Sequence, residues 1–367
     1  MRLHRLIAVH IFGAVAGLFY MGAAWAAPIH DAIAAQDAAR VKALLAQDPA
    51  NANLADARGS RPLCLAAIAG NEAIADELIV AGADLNDGGT IPPLACAAYA
   101  GALDLMKKLL DKGVSATAMT AGKSTMMHFA AQGRVRTVTR LGDGKETYTY
   151  APNMGAVALL LARGVPPGAA DANGVTPLHF AAADGNPGIV TLLLAAKVPV
   201  DARSASGATP LHYASQRLER LVARDGDWRT FKMASNVESV RLLIAAGADV
   251  NAAMTDDLKM TPLMIAAAWG LGDVVRALLE AKADVSLKSA DGKTALHFAA
   301  ESVETLEIRQ HGEGDQQQLQ TVLPTDTIAA LLKAGADPAA RDNAGHTPAD
   351  VVRNQEPEVV KLLKAGP

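Results

Sequence analysis

The chain has 367 residues, 50% of them hydrophobic but only 4% aromatic, with a formal charge of -4 and two cysteines. The apolar surface is therefore mainly Ala, Leu and Val, which suits tightly stacked small helices better than one large globular interior. The charge gives no basis for nucleic-acid binding, which calls for a basic face, and two cysteines are too few for a disulfide framework.

Residues 1–26 read as a secretory signal. Arg2, His4 and Arg5 form a positive start, Leu6 to Tyr20 is largely apolar, and Ala24-Trp25-Ala26 supplies the small residues of a cleavage site. The competing reading is an N-terminal membrane anchor, but the apolar run is short for a spanning helix and ends in the cleavage pattern. No Cys stands at the cleavage point for lipid attachment, and Arg2 and Arg5 are not adjacent as a twin-arginine signal requires. Cleavage after Ala26 removes those two arginines and takes the charge from -4 to -6. The expected product, residues 27–367, is an exported protein, periplasmic or secreted, without membrane attachment.

From residue 28 onward a Thr-Pro-Leu-His-like tetrad recurs. Its proline position falls at Pro28, Pro62, Pro93, Met126, Pro177, Pro210, Pro262, Ala295 and Pro348, with successive gaps of 34, 31, 33, 51, 33, 52, 33 and 53 residues. A period near 33 marks an array of helix pairs, and every second unit from the fourth carries roughly 18 to 20 extra residues. The clearest copy runs Asn173-Gly174-Val175-Thr176-Pro177-Leu178-His179-Phe180-Ala181-Ala182. Asn173-Gly174 is a turn pair, Thr176 can cap a helix, and Pro177 fits the first helical position, where its missing N–H would be unbonded anyway. Gly185 ends that helix, and a Leu-rich second helix follows from Gly188 to Ala196.

The tetrads Thr176-Pro177-Leu178-His179, Thr209-Pro210-Leu211-His212, Thr261-Pro262-Leu263 and Thr294-Ala295-Leu296-His297 resemble those of the ankyrin-repeat family. The turns Gly82-Ala83-Asp84, Gly247-Ala248-Asp249 and Gly335-Ala336-Asp337 match it as well. The resemblance covers residues 28–366. It implies an all-α stack of about nine helix-pair units joined by β-turn fingers, which binds other proteins through its fingers and concave helix face. The end units fit. Asp37 to Gln47 mixes polar and apolar residues as a cap needs, and Thr347-Pro348-Ala349-Asp350 replaces the last Leu-His.

Histidines at the tetrad position, His128, His179, His212 and His297, with His30 as a degraded copy, read as structural. In ankyrin-like units this imidazole bonds turn backbone near its own helix start. Equivalent positions stack about 10 Å apart, too far to share a metal ion. His311 and His346 have no convincing ligand partners at useful spacing. Gly122-Lys123-Ser124 resembles the end of a phosphate loop, but Thr117 stands where that loop needs glycine. No nucleophile elbow or Cys-x-x-Cys pair occurs, so no enzyme signature is present and neither a cofactor nor a metal is expected. Cys64 and Cys96 lie in the first helices of neighbouring units. Export makes a disulfide chemically available, yet helices near 10 Å apart favour two buried thiols.

All three long gaps open after the first helix of a unit and before the second. Around 132–154, two Thr-, Val- and Tyr-rich runs flank Gly142-Asp143-Gly144, a β-hairpin signal. Around 216–234, Leu218, Leu221 and Val222 at helical spacing predict a continued helix, and Glu301 to Arg309 predicts a similar extension within 301–324. The first two inserts carry a net charge of +2 each and the third -4. Emerging from alternate units, they share one edge at intervals of about 20 Å. Duplication of a two-unit block explains the alternation without a function, and a binding edge explains it with one.

The leading expectation is a monomeric, non-catalytic scaffold for a protein partner, with no nucleic-acid or membrane binding. Ile68, Tyr99, Asp184 and Trp269 are the candidate contact residues on the concave face, and Tyr148, Tyr150, Trp228 and Phe231 those on the inserts. Protecting a periplasmic enzyme and neutralising a delivered toxin as an immunity protein are the two roles suggested by resemblance to exported bacterial ankyrin proteins. The alternative class is a small-molecule or peptide receptor in which the inserts wall a pocket, although ankyrin grooves are open and shallow.

Overall fold

The computed structural model describes residues 27–365 apart from 141–145, 217–218, 225–226, 233–235, 303–304, 310–317, 323 and 353–354. The chain divides into two compact units, one ending at Pro93 and the other beginning at Leu94. The first holds two helix pairs: α1 (Pro28–Ala34) with α2 (Ala38–Gln47), and α3 (Pro62–Ala69) with α4 (Glu72–Val80). Asp37 caps α2 by accepting from the Arg40 N–H at 2.9 Å, and Asn71 caps α4 by accepting from the Ile74 N–H at 3.1 Å. Ile29, Ile33, Val41, Leu63, Ile74 and Leu78 form the buried seam.

In the second unit the pairs continue with α5 (Pro93–Ala100) and α6 (Leu103–Asp111), then α7 (Met126–Gln132) and α8 (Met154–Ala162). Next come α9 (Pro177–Ala183) with α10 (Pro187–Ala195), and α11 (Pro210–Ala214) with α12 (Val237–Ala245). The array closes with α13 (Pro262–Ala268) and α14 (Gly272–Glu280), α15 (Ala295–Glu301) and α16 (Thr325–Lys333), and α17 (Pro357–Ala365). First helices pack on first helices, α9 between α7 and α11 and α13 against α15, while second helices α8, α10, α12, α14 and α16 pack in sequence behind them. The composition explains the layering. Pairs such as Ala130-Ala131, Ala181-Ala182 and Ala266-Ala267 are fully buried and let first helices approach closely. Leu160, Leu193, Leu243, Leu278 and Leu331 bury the facing stripe of the second helices.

The ninth unit departs from this pattern. Residues 348–351 form turns where a first helix stands elsewhere, and only α17 represents the pair. Asp350 replaces the tetrad histidine, and its Oδ2 accepts from the Thr347 N–H at 2.8 Å and the Thr347 hydroxyl at 2.7 Å. Those two bonds hold Asp350 well below the usual carboxylate range, the backbone N–H contributing most.

Each insert contains an antiparallel two-stranded ribbon. In the fourth unit β1 (Arg134–Arg140) pairs with β2 (Glu146–Pro152), setting Arg136 opposite Tyr150 and Val138 opposite Tyr148. In the sixth, β3 (Glu219–Arg224) pairs with β4 (Asp227–Lys232), with Arg220 opposite Phe231 and Ala223 opposite Trp228. In the eighth, β5 (Thr305–Arg309) pairs with β6 (Gln318–Val322). The helix extensions expected in the sixth and eighth units are therefore corrected: α11 stops at Ala214 and α15 at Glu301. Leu218, Leu221 and Val222 are too few to separate helical from strand periodicity, and cross-strand pairing decides the outcome.

The expectation of two free buried thiols is also corrected, since Cys64 and Cys96 are both disulfide-bonded. A spacing near 10 Å describes helix axes, and does not fix the separation of residues on facing surfaces.

Candidate interaction site

The turns that carry the fingers are built from local side-chain acceptors. Asp171 Oδ1 accepts from the N–H groups of Asn173 at 2.8 Å and Val175 at 3.0 Å, and Asp342 Oδ1 does the same for Ala344 and His346, both at 2.9 Å. Successive fingers are tied by backbone bonds, such as Ala205 N–H to the Asn173 carbonyl at 2.7 Å and Asn343 N–H to that of Asp291 at 2.9 Å.

Behind the fingers runs a ladder of histidines. Thr125, Thr176, Thr209 and Thr294 each cap a first helix in reciprocal fashion with the histidine three residues on. The threonine N–H donates to Nδ1 at 3.0 Å in the first three and 3.2 Å in the fourth. Since a backbone N–H can only donate, Nδ1 is the bare nitrogen and Nε2 carries the proton. That proton reaches the next unit. His128 donates to the carbonyl of Val175, His179 to Ala208, His212 to Met260 and His297 to His346, all within 3.0–3.1 Å. His179 stacks edge-on against Tyr213 of the following unit at 4.9 Å, and His128 against Phe180 at 6.1 Å. The sequence indicated the bond at the helix start but not the link between units. The link spans 29 residues at His179 and 47 to 49 at the histidines of the long units, so each insert is looped out without disturbing it.

Burial pushes the imidazoles down, to about 4 at His179 and His212 and in the same direction at His128. Neutral imidazole in that tautomer is a structural donor and acceptor, and its lone pair is occupied by the threonine N–H. Among the described residues, no three His, Cys, Asp or Glu side chains gather to hold a metal ion, and no helix is long and apolar enough to cross a membrane.

The roots of the inserts are fixed by residues that the sequence reading passed over. Asn153 precedes α8 and donates from Nδ2 to the Ala98 carbonyl, while Asn236 precedes α12 and donates to the Ala183 carbonyl at 3.0 Å. Both acceptors lie in the first helix of the preceding unit, so the chain leaving each of these two ribbons is tied across the stack. An Asn immediately before the second helix was the visible signal. At the entry to β1, a Cβ on Gly133 would fall 2.0 Å from the Tyr99 carbonyl oxygen.

Of the predicted contact residues, Ile68, Tyr99 and Trp269 are half-buried, whereas Asp184 is only 4% exposed at the end of α9. Tyr148 and Tyr150 occupy β2, and Trp228 and Phe231 occupy β4. His346 lies in the last finger with its side chain 57% exposed, as expected, and His311 lies outside the described residues.

Stacked helix pairs, tetrad caps and linked fingers define an ankyrin-repeat protein, and the chain belongs to that family. The family model for ankyrin repeats in three copies matches residues 29–120, 147–224 and 231–310, and that for the single ankyrin repeat matches 206–254 and 291–343. Among curated proteins, a mitochondrial disaggregase of Bos taurus is 38% identical over 149 residues, 36% of this chain and 21% of that protein. Ankyrin repeat and SOCS box protein 16 of Homo sapiens is 35% identical over 113 residues, 31% of this chain and 22% of that one. The chain thus spans about a fifth of the length of the curated relatives it matches. The crystal structure of the human ASB11 ankyrin repeat domain shares the fold with a TM-score of 0.54 at 22% identity, covering 76% of this chain and 99% of that one.

Proposed function

We propose that this chain is an exported, non-catalytic scaffold that binds a partner protein through its fingers, its concave face and the edge carrying the three inserts. The observation that carries the reading is the placing of the ribbons. Each lies between the paired helices of alternate units, and two are tied at their roots to the preceding unit by Asn153 and Asn236. A tolerated long turn needs no such anchoring, whereas a contact surface must be held in place. The signal-like residues 1–26 and the disulfide-bonded state of Cys64 and Cys96 support export to an oxidising compartment, most simply a bacterial periplasm. Binding that protects or inhibits the partner is the effect such a scaffold would have.

The test is affinity capture from periplasmic extract with residues 27–367 as bait, beside a variant in which residues 134–152 are replaced by a short Gly-Ser turn. A specific protein retained by the first and reduced by the second supports the reading. Retention of nothing specific by the intact bait sinks it.

A further inference from the structure

The first unit contains a cap that lacks one member. In the four complete boxes the threonine at the helix start has φ between -89° and -107° and ψ between 165° and 170°, and its N–H reaches Nδ1 of the histidine three residues on. In the first unit Ala27 stands at the threonine position and His30 at that of the histidine. The His30 ring is 5% exposed, and its Nε2 lies 2.8 Å from the Leu54 carbonyl oxygen. A carbonyl only accepts, so Nε2 carries the proton and Nδ1 is a bare lone pair. That Nδ1 is buried and has no hydrogen-bond partner, and Ala27 has no hydroxyl to offer.

The backbone at Ala27 explains the gap. Its ψ of 156° is close to that of the complete boxes and sets the nitrogen in much the same place relative to the helix, but its φ is -65°. Within a continuous chain, φ fixes where the single N–H points, and this value turns it away from the direction used in the other units. A free α-amino group has no such constraint, because its three hydrogens turn about the N–Cα bond. We propose that the new amino terminus formed by removal of residues 1–26 donates to Nδ1 of His30, completing the box and locking α1 only in the processed protein. This rests on the proposed cleavage after Ala26.

The test compares two purified proteins, one beginning at Ala27 with a free amine and one carrying a Gly-Ser extension before Ala27, each as wild type and as His30→Leu. Hydrogen exchange of the α1 amides and the Nδ1 nitrogen chemical shift of His30 are measured. The expected result is about tenfold faster exchange in α1 of the extended wild type, no such difference in the His30→Leu pair, and a His30 Nδ1 shift that differs between the two wild-type forms. Equal exchange in the two wild-type forms, or an equal change in the His30→Leu pair, overturns the proposal. If His30→Leu does not fold, the nitrogen shift decides: identical shifts overturn it. The mass of the exported protein is a separate measurement. A start other than Ala27 refutes the processing reading, while the hydrogen bond still stands or falls on the purified pair.

Discussion

Nε2 of His179 donates to the carbonyl oxygen of Ala208, 3.1 Å away, and so fastens the first helix of one unit to the turn that opens the next. The same ring accepts from the Thr176 N–H, so one neutral imidazole satisfies backbone groups of two units at once. Nearest-neighbour links of this kind set the cooperativity of a repeat array.

That chemistry makes stability depend on pH in a defined window. The folded values of about 4 at His179 and His212 lie below the ordinary value of 6.5, so the unfolded chain binds more protons between the two. Their contribution is fully present above about pH 6.5 and is lost as the pH falls towards 4, on the order of 3 kcal/mol for each ring. The carboxyls of Asp84, Asp284, Asp342 and Asp350 are all held below their ordinary value, so their loss begins lower. Urea midpoints measured from pH 7.5 to 4.5 should fall steadily below 6.5, and His179→Gln should flatten the slope. A stability constant across that range would contradict the assignment of buried neutral rings.

The ladder has one missing rung. Met264 occupies the histidine position of the seventh unit and is buried, and Thr261 accepts only from its N–H, at 3.4 Å. The carbonyl of Lys293, which corresponds to that of Ala208, accepts from the Ser289 N–H, and the Ser289 hydroxyl also lies 3.1 Å from it and 2.5 Å from Asp291 Oδ1. Met264→His should supply the absent link and raise stability by about 1 kcal/mol at pH 7.5. The gain should disappear near pH 5, where a buried imidazole is penalised. Equilibrium unfolding at the two pH values checks it, and a uniform loss would mean that the ring does not fit.

How much of this was legible follows from the range of each interaction. The tetrad could be read because its contacts lie within four residues: threonine, proline and histidine specify the helix start by themselves. The ladder could not, because the acceptor carbonyl belongs to whichever residue precedes the next threonine, and a backbone carbonyl has no sequence signature. The Thr-, Val- and Tyr-rich ribbon of the fourth unit was visible, since β-branched alternation is hard to read otherwise. In the sixth unit, Asp225-Gly226 between the paired Arg224 and Asp227 was the usable hairpin signal. Three aliphatic residues at helical spacing outweighed it in the reading.

A helix end offers a smaller and cleaner test. Most second helices close with glycine in the left-handed region, as at Gly164 with φ 71° and Gly247 with φ 90°, but Lys197 holds that conformation with φ 60° and Lys282 with φ 66°. A side chain there is strained, whereas glycine adopts the conformation freely. Lys197→Gly should stabilise by about 0.5–1 kcal/mol despite removing a side chain, as measured by the urea midpoint with an unchanged denaturant slope. Lys197→Val, β-branched in the same conformation, should destabilise. The opposite order would place the strain elsewhere.

The entry to the first ribbon is the most sterically restricted point of the insert edge. Gly133 ends α7 with an ordinary φ of -73°, so backbone freedom is not what requires glycine there. The requirement is space: a Cβ would meet the Tyr99 carbonyl oxygen at 2.0 Å and its carbon at 2.7 Å, both rigid backbone atoms. Gly133→Ala must therefore push the start of β1 away from the preceding unit, at a cost of about 2–3 kcal/mol. Because Asn153 ties the other end of the ribbon to Ala98 in that same unit, displacing one root also loads the second. Thermal unfolding should show the loss. Partner capture should weaken more in Gly133→Ala than in Gly164→Ala, where an added Cβ meets nothing within 4 Å and only the φ of 71° is penalised. Equal capture by the two variants at a temperature where both are folded would separate the ribbon from recognition and leave the fingers and concave face to carry it.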